Sequence, residues 1–333
     1  MMSATKYQQP SVLWALSELG EDCACFALEQ AASFRQYFRF VRANNSWILM
    51  DASQEVESAR EFVQVASLLL GLGLRVPFVI ASDLTQGWLI TEDFGDRRLL
   101  ETLLQKPELA TQWYQKAWQV LLQLQRAGDF SPLLPKMDYA FAKRESMRLL
   151  HDFVPALSQH ERWDLAAIER AIELLSESVV AQPFGLAHRD FHAANLMCLD
   201  SQEIGVLDFQ SAFYAPMAYD IVSLLRDCYI DWPDHEINHW LRLFFQDSAL
   251  WRSHFQRFSD FKQAFDEVSL QRHLKCLGLF VHLVKKGQSL YLSALPRTLR
   301  YVRDVCQRDA RWHPILPVIH AGIASIPNNF NSH

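Results

Sequence analysis

The chain lacks an uninterrupted apolar run long enough to cross a bilayer. Its greasiest stretch, residues 63–80, is broken by Gln64, Arg75 and Pro77, whereas a spanning helix needs roughly twenty consecutive apolar residues. The opening MMSATKYQQP holds one lysine and no apolar core, so no secretory signal is expected there. A basic excess is missing too. The 32 Lys and Arg residues stand against 38 Asp and Glu, a net charge of −6, which removes the electrostatic footprint of a nucleic-acid binder. The six cysteines (Cys23, Cys25, Cys198, Cys228, Cys276, Cys306) show no metal-ligand spacing, because no second Cys/His pair follows Cys23 and Cys25 at a fitting distance. Unmatched cysteines in a long chain suit a reducing compartment. The expectation is a cytoplasmic protein with no membrane and no nucleic-acid partner. Internal repeats and low-complexity tracts are also absent.

What is present is an ordinary globular composition, 50% hydrophobic and 21% charged over 333 residues, enough for one large domain or two lobes with separate cores. The first hundred residues alternate in period. Residues 23–29, 37–43 and 46–51 read as strands, with a hairpin turn at Ala43-Asn44-Asn45. Ser53 reads as the N-cap of a helix reaching Leu70, with Val56, Ala59, Val63, Ala66 and Leu70 on one face and Gly71 and Gly73 as its stop. Two further strands are expected at residues 78–81 and 88–92. Beyond Asp96 the pattern turns to long helices, at residues 107–126, 139–151, 161–180, 217–229, 235–245, 260–284 and 296–308. A β-rich lobe over residues 1–95 and a helical lobe over residues 96–333 follow, with a cleft expected between them.

The segment FGLAHRDFHAANLMCLDSQEIGVLDFQ, residues 184–210, carries the chemistry. His188-Arg189-Asp190 is followed after four residues by Asn195, the pattern H-R-D-x-x-x-x-N, and Asp208 closes the β-like run at residues 204–207. A loop presenting Asp190 and a hairpin bringing Asp208 beside Asn195 would set two oxygen ligands for Mg²⁺ against nucleotide phosphates. Asp190 is then the base for an attacking hydroxyl. Phosphoryl transfer needs mainly such positioning and charge neutralisation. The expected fold is α+β and protein-kinase-like, with a small antiparallel-sheet N-lobe for the nucleotide and a mostly helical C-lobe for the catalytic loop and substrate.

This segment resembles the aminoglycoside phosphotransferase family. The stretch YAPMAYDIVSLLRDCYIDWP at residues 214–233, with SFRQYFRF at 33–40 and ILMDA at 48–52, is similar to bacterial anomeric kinases of N-acetylmuramate and N-acetylglucosamine. That resemblance implies ATP and Mg²⁺ as cofactors and an amino sugar phosphorylated at its C1 hydroxyl in peptidoglycan recycling. It also implies a uridylyltransferase receiving the 1-phosphate, and His188 packed under the loop against its backbone.

Two departures qualify the pattern. Residues 33–37 stand where a glycine-rich loop is expected and hold no glycine, and the third strand has Met50-Asp51 where a phosphate-pairing lysine is expected. Arg35 or Arg39 is left as the cation, and a tight turn of backbone N–H groups can still cradle phosphate. The D-F-G at Asp93-Phe94-Gly95 precedes the HRD segment and reads instead as the connection between lobes, its backbone around Thr91, Glu92 and Asp93 meeting adenine. Asp220 is expected to accept backbone N–H groups of the catalytic loop. Along the helix at residues 217–229, Asp220, Ser223 and Asp227 form a polar stripe whose default reading is a solvated face. The sharper expectations are that His192, Arg226 or Asp227 meets the sugar, Arg226 pairing with the lactyl carboxylate of N-acetylmuramate. The alternatives are a kinase of an aminoglycoside, choline or homoserine, and a non-catalytic pseudokinase.

Overall fold

The computed structural model describes residues 9–28, 34–126, 128, 134–157 and 163–325. Ser33, at the head of the expected phosphate-contacting run, lies outside the described residues, as do Glu29, the start of the helix expected from residue 161 and the first eight residues. The described residues begin with a helix that the sequence pattern does not reveal, α1 (Pro10–Leu19). Proline at its first position loses no bond, because that N–H would have no helical partner. The sheet follows as β1 (Ala24–Ala27), β2 (Gln36–Arg42) and β3 (Asn45–Asp51), then α2 (Val56–Gly71), β4 (Val79–Asp83) and β5 (Trp88–Glu92). All strand pairs are antiparallel, in the order β1-β2-β3-β5-β4. Ala43 turns the β2–β3 hairpin at φ +51°, pairing Arg42 with Asn45. Val12, Ala15 and Leu19 of α1 share a core with Phe38, Phe40, Leu49 and Ile90 of the sheet.

Two details of α2 differ from expectation. Ser53 is not its cap: its backbone N–H and hydroxyl both donate to Asp51, in a local turn of the kind short polar side chains form. The buried face is Ala59, Phe62, Val65, Ala66 and Leu69 rather than one through Val63 and Leu70. Phe62 sets that rotation, since its ring packs on Phe209 with centroids 4.6 Å apart.

The chain continues through α3 (Leu99–Gln105), α4 (Ala110–Gln125), α5 (Tyr139–Ser146), α6 (Leu165–Val180) and β6 (Phe184–Ala187). It then forms a hairpin of β7 (Leu196–Cys198) and β8 (Ile204–Val206), β9 (Phe213–Pro216), and the helices α7 (Ala218–Leu225), α8 (Asp234–Asp247), α9 (Ala249–His254), α10 (Phe258–Lys285), α11 (Leu295–Arg308) and α12 (Leu316–Ser325). The small antiparallel sheet and mostly helical remainder agree with the α+β, kinase-like expectation.

Two compact units result, one made of the residues to Thr102 plus Asn195–Ala212, the other of Leu103–Ala194 plus the residues from Phe213. The first unit thus extends past the expected boundary at residue 95 and takes in the β7–β8 hairpin. Hydrogen bonds explain this: Cys198 N–H donates to the Arg97 carbonyl and Val206 N–H to the Arg75 carbonyl, each at 2.8 Å. The Arg97 side chain returns a bond to the Cys198 carbonyl at 2.9 Å.

The second unit is organised by α10, which is 28 residues long and buries polar Glu267, Gln271, Arg272 and His273 along with its apolar residues. Every residue of α7 is buried. The polar stripe Asp220, Ser223 and Asp227 is therefore not solvated, at 1%, 1% and 2% exposure. Buried polar groups of this kind persist only when hydrogen-bonded, and their partners define the site below. At Gly278, α10 passes so close to Arg148 that a methyl group would lie 2.5 Å from the Arg148 carbonyl oxygen. Backbone cannot step aside as a flexible side chain can. Gly278→Ala is therefore expected to destabilise the protein by about 1–3 kcal/mol, read as a lower urea midpoint at unchanged slope. A midpoint at or above wild type would contradict this packing.

Candidate active site

Strand β6 delivers the chain into His188-Arg189-Asp190, where the backbone turns sharply. Arg189 takes φ +82°, a region that non-glycine residues occupy only when their surroundings hold them there. The holding group is Asp220 in the first turn of α7. Its Oδ2 accepts the His188 N–H at 2.6 Å and its Oδ1 the Arg189 N–H at 3.0 Å. Burial pushes the Asp220 carboxyl up to about 6, against the pull of His188 and these two N–H donors. His188 is buried under the loop, its Nδ1 accepting the Asp190 N–H at 3.3 Å and its ring edge-on to Phe191 at 5.6 Å.

The next stretch is held the same way. Asp227, just past α7, accepts the Ala193 N–H at 3.0 Å and the Tyr229 N–H at 2.8 Å. His192 packs edge-on to Tyr229 at 5.2 Å, and burial lowers its proton affinity against the opposing charges of Asp227 and Asp190.

Asp190 keeps 37% of its side chain exposed while Arg272 Nη2 stands 3.7 Å from its Oδ1. Burial of the carboxyl would raise its pKa, but Lys275 and Arg272, with His192 and Arg189, hold it lowered to about 2. Neither Arg272 nor Lys275 figured in the sequence reading. Both lie on α10, one turn apart, where helical periodicity alone does not reveal which buried face they share with a loop eighty residues earlier. The one signal was two cations, three residues apart, within a largely apolar helix.

In the first unit, Asn195 ends a short 3₁₀ turn (Ala193–Asn195) and leads into β7, while Asp208 lies two residues beyond β8. The hairpin brings them abreast: Leu207 N–H donates to the Asn195 carbonyl at 2.9 Å. Asp208 takes φ +60°, and the next residue, Phe209, is fully buried against Phe62 of α2. Asp208 Oδ1 accepts Gln210 Nε2 at 2.8 Å and faces Arg35 Nη2 at 3.3 Å. Half-buried Tyr37 adjoins the same groups; burial raises its phenol pKa, with Arg35 lowering it and Asp208 raising it. The Asp208 carboxylate, 43% exposed, and the Asn195 carboxamide, whose backbone pairs with that of Leu207, are hard oxygen donors of the kind that fit Mg²⁺, an ion that keeps several waters and takes one or two protein ligands with substrate phosphates. No group of three or more His, Cys, Asp or Glu side chains suited to a metal occurs among the described residues.

The two arginines left open by the sequence separate clearly. Arg39 is bound to Asp93 at 2.6 Å, Asp96 at 2.7 Å and the Gly95 carbonyl at 3.1 Å, so it braces the end of β5. Arg35 is the one beside Asp208. Thr91 is buried, Glu92 is ion-paired with Arg75, and Asp93 also accepts the Gly95 N–H at 2.9 Å. The side chains of D-F-G are thus engaged in structure, with Arg75 over the Phe94 ring at 4.7 Å. A cavity of about 420 Å³ adjoins this segment, lined by Arg75, residues 92–97 and residues 198–201. Its walls are charged, unlike the mostly apolar slot an aromatic base prefers.

Two substrate expectations do not fit the geometry. Arg226 is 4% exposed, paired with Asp266 at 2.8 Å and stacked on Phe265 at 4.8 Å, which leaves it facing the interior rather than a ligand carboxylate. Asp227 spends both oxygens on backbone N–H groups.

Comparison with known proteins gives the family and the fold. A family profile described as "Phosphotransferase enzyme family" matches residues 27–254. An N-acetylmuramate/N-acetylglucosamine kinase of Pseudomonas aeruginosa is 35% identical over 304 residues, covering 89% of this chain and 86% of its own. A kinase of the same name from Neisseria meningitidis serogroup B is 31% identical over 300 residues, covering 86% and 87%. Among solved structures, choline kinase LicA from Streptococcus pneumoniae aligns with a TM-score of 0.63 at 12% identity, covering 89% of this chain and 98% of that one. ADP-bound aminoglycoside phosphotransferase APH(2'')-Ib aligns at 0.58 and 14% identity, covering 91% and 99%. At such identities the two structures speak for the fold alone. No described helix is long and apolar enough to cross a membrane.

Asp220→Asn replaces one acceptor oxygen with an NH₂ that must face a backbone N–H. A buried donor left without an acceptor costs about 1–3 kcal/mol, and the loss should show in urea unfolding together with lowered turnover. Wild-type stability in that variant would mean the loop does not depend on this carboxylate.

Proposed function

Because the chain belongs to the phosphotransferase enzyme family, we propose that it is an ATP-dependent kinase of N-acetylmuramate and N-acetylglucosamine, transferring the γ-phosphoryl group to the anomeric C1 hydroxyl. The observation that carries the reading is the similarity, over 86–89% of the chain, to relatives named N-acetylmuramate/N-acetylglucosamine kinase, joined to an intact Asp190, Asn195 and Asp208. The setting is the cytoplasm and peptidoglycan recycling, with a uridylyltransferase as the consumer of the sugar 1-phosphate.

Asp190 is the base. With a pKa near 2 it is a weak one, and that suits phosphoryl transfer through a loose transition state, in which the attacking hydroxyl surrenders its proton late. Its main work is then to hold the C1 hydroxyl by accepting its hydrogen bond and to take the proton as the new P–O bond completes. Asn195 and Asp208 would hold Mg²⁺, which when bound neutralises charge on the nucleotide phosphates. Arg35, beside Asp208, stands in for the absent third-strand lysine. The adenine is assigned to the backbone around Thr91, Glu92 and Asp93, and His192 remains a candidate for the sugar.

Arg272 and Lys275 bear on the alternatives. Two cations beside the acceptor-side carboxylate offset its negative charge, which leaves less attraction for choline or a polycationic antibiotic than an uncompensated acidic site would have. A pseudokinase has no use for an ionised, half-open Asp190.

The test is ATP consumption with each amino sugar, with choline and with an aminoglycoside, for wild type and Asp190→Asn. Both sugars should be turned over by wild type alone, the variant losing roughly 10²–10⁴-fold in rate. Turnover of choline or the aminoglycoside in place of the sugars would replace the substrate reading. Chelation of divalent cations should abolish turnover and addition of Mg²⁺ restore it; a rate indifferent to chelator would remove Asn195 and Asp208 from the metal role.

A further inference from the structure

The guanidinium of Arg272 is buried, at 8% side-chain exposure, and is fixed from two helices. Its Nε donates to Ser223 Oγ at 2.7 Å, and Ser223 in turn donates to the Tyr219 carbonyl one turn back along α7 at 3.1 Å. Its Nη1 reaches Cys276 Sγ at 3.4 Å, one turn along α10. Its Nη2 is the end that faces Asp190 Oδ1 at 3.7 Å. The planar fork of an arginine makes these three contacts mutually dependent, so fixing Nε and Nη1 also fixes the direction of Nη2. Lys275 is committed differently, at 3.6 Å from Glu145, and Arg189 lies over the rings of Phe141 and Phe213 at 5.6 Å.

Burying a cation carries a desolvation cost that its surroundings must offset. Ser223 Oγ and Cys276 Sγ are its hydrogen-bond partners, and Asp190, at 3.7 Å, is the carboxylate it faces within ion-pair distance. The same contact works in the other direction, on the orientation of Asp190. From this geometry we propose that Arg272 is a positioning residue for Asp190, aligning its carboxylate toward the acceptor hydroxyl, with Ser223 and Cys276 as the anchors that aim it. The inference rests on the reading of Asp190 as the base. Arg272 touches neither sugar nor nucleotide in this account. Its effect belongs to the chemical step rather than to substrate affinity.

The experiment is a kinetic double-mutant cycle with ATP and N-acetylglucosamine, using Asp190→Asn, Arg272→Ala and the pair. Arg272→Ala should lower kcat roughly 10–100-fold, the scale of a misplaced reacting group, with KM for both substrates within about threefold. In the Asp190→Asn background the same substitution should cost less than about twofold, because nothing is left to position. Arg272→Lys, which keeps the charge without the fork, should recover part of the rate. An equal loss in both backgrounds overturns the proposal, and so does a raised KM at unchanged kcat. If thermal unfolding shows that Arg272→Ala does not fold, Ser223→Ala carries the test: it keeps the cation and removes its anchor. A kcat loss of about threefold or more supports the proposal, and wild-type kcat overturns it. Asp190→Asn at wild-type rate would remove the base itself and this inference with it. An inactive Asp190→Asn beside a fully active, folded Arg272→Ala removes the inference alone.

Discussion

Two backbone N–H groups, those of His188 and Arg189, end on the one carboxylate of Asp220, and the reactive loop takes its shape from that convergence. Arg189 could not rest at φ +82° without it, since a side-chain-bearing residue in that region stores strain that surrounding contacts must offset. Asp227 repeats the device seven residues later with the N–H groups of Ala193 and Tyr229. One short buried helix, α7, thus supplies Asp220 from its first turn, and the chain just past its end supplies Asp227, so that both flanks of Asp190 are held. The loop's backbone donors end on carboxylate oxygens rather than on water, and carboxylates are the strongest acceptors a side chain offers when ionised.

The second constraint is electrostatic. Asp190 sits half open with Arg272 and Lys275 of α10 near it, so it stays ionised at any physiological pH. Such a group trades basicity for constancy. It is always able to accept a hydrogen bond from an incoming hydroxyl and never competes with it for a proton. A reaction that needed an early, strong base would be poorly served, whereas phosphoryl transfer, dominated by alignment and charge neutralisation, is well served. In the other unit, Arg35 beside Asp208 shows how a chain without the usual strand lysine still places a cation near its expected metal ligands.

Much of this was legible in the residue order, and what was not has identifiable causes. The hairpin through Ala43, the strand pairs, the HRD segment and the discounting of Asp93-Phe94-Gly95 all rest on local spacing, which a sequence displays directly. Helix α1 was missed because its apolar pattern is short and follows a proline that also suits a loop. The stripe of Asp220, Ser223 and Asp227 is ambiguous in the sequence because polarity at helical spacing looks the same whether it faces water or a buried backbone. The chemistry of Arg226 alone suits a sugar carboxylate; the partner that claims it, Asp266, lies forty residues on. Arg272 was invisible for the same reason. Its meaning depends on which face of a 28-residue helix meets a loop far away in the chain.

The central claim is that this scaffold phosphorylates an amino sugar at its anomeric carbon. The most direct measurement is proton–phosphorus correlation NMR on the product formed from ATP and N-acetylmuramate or N-acetylglucosamine. The account predicts phosphorus coupled to the C1 proton of both sugars. Phosphorus coupled to the C6 protons, or no sugar phosphate from a folded protein supplied with ATP and Mg²⁺, would contradict it.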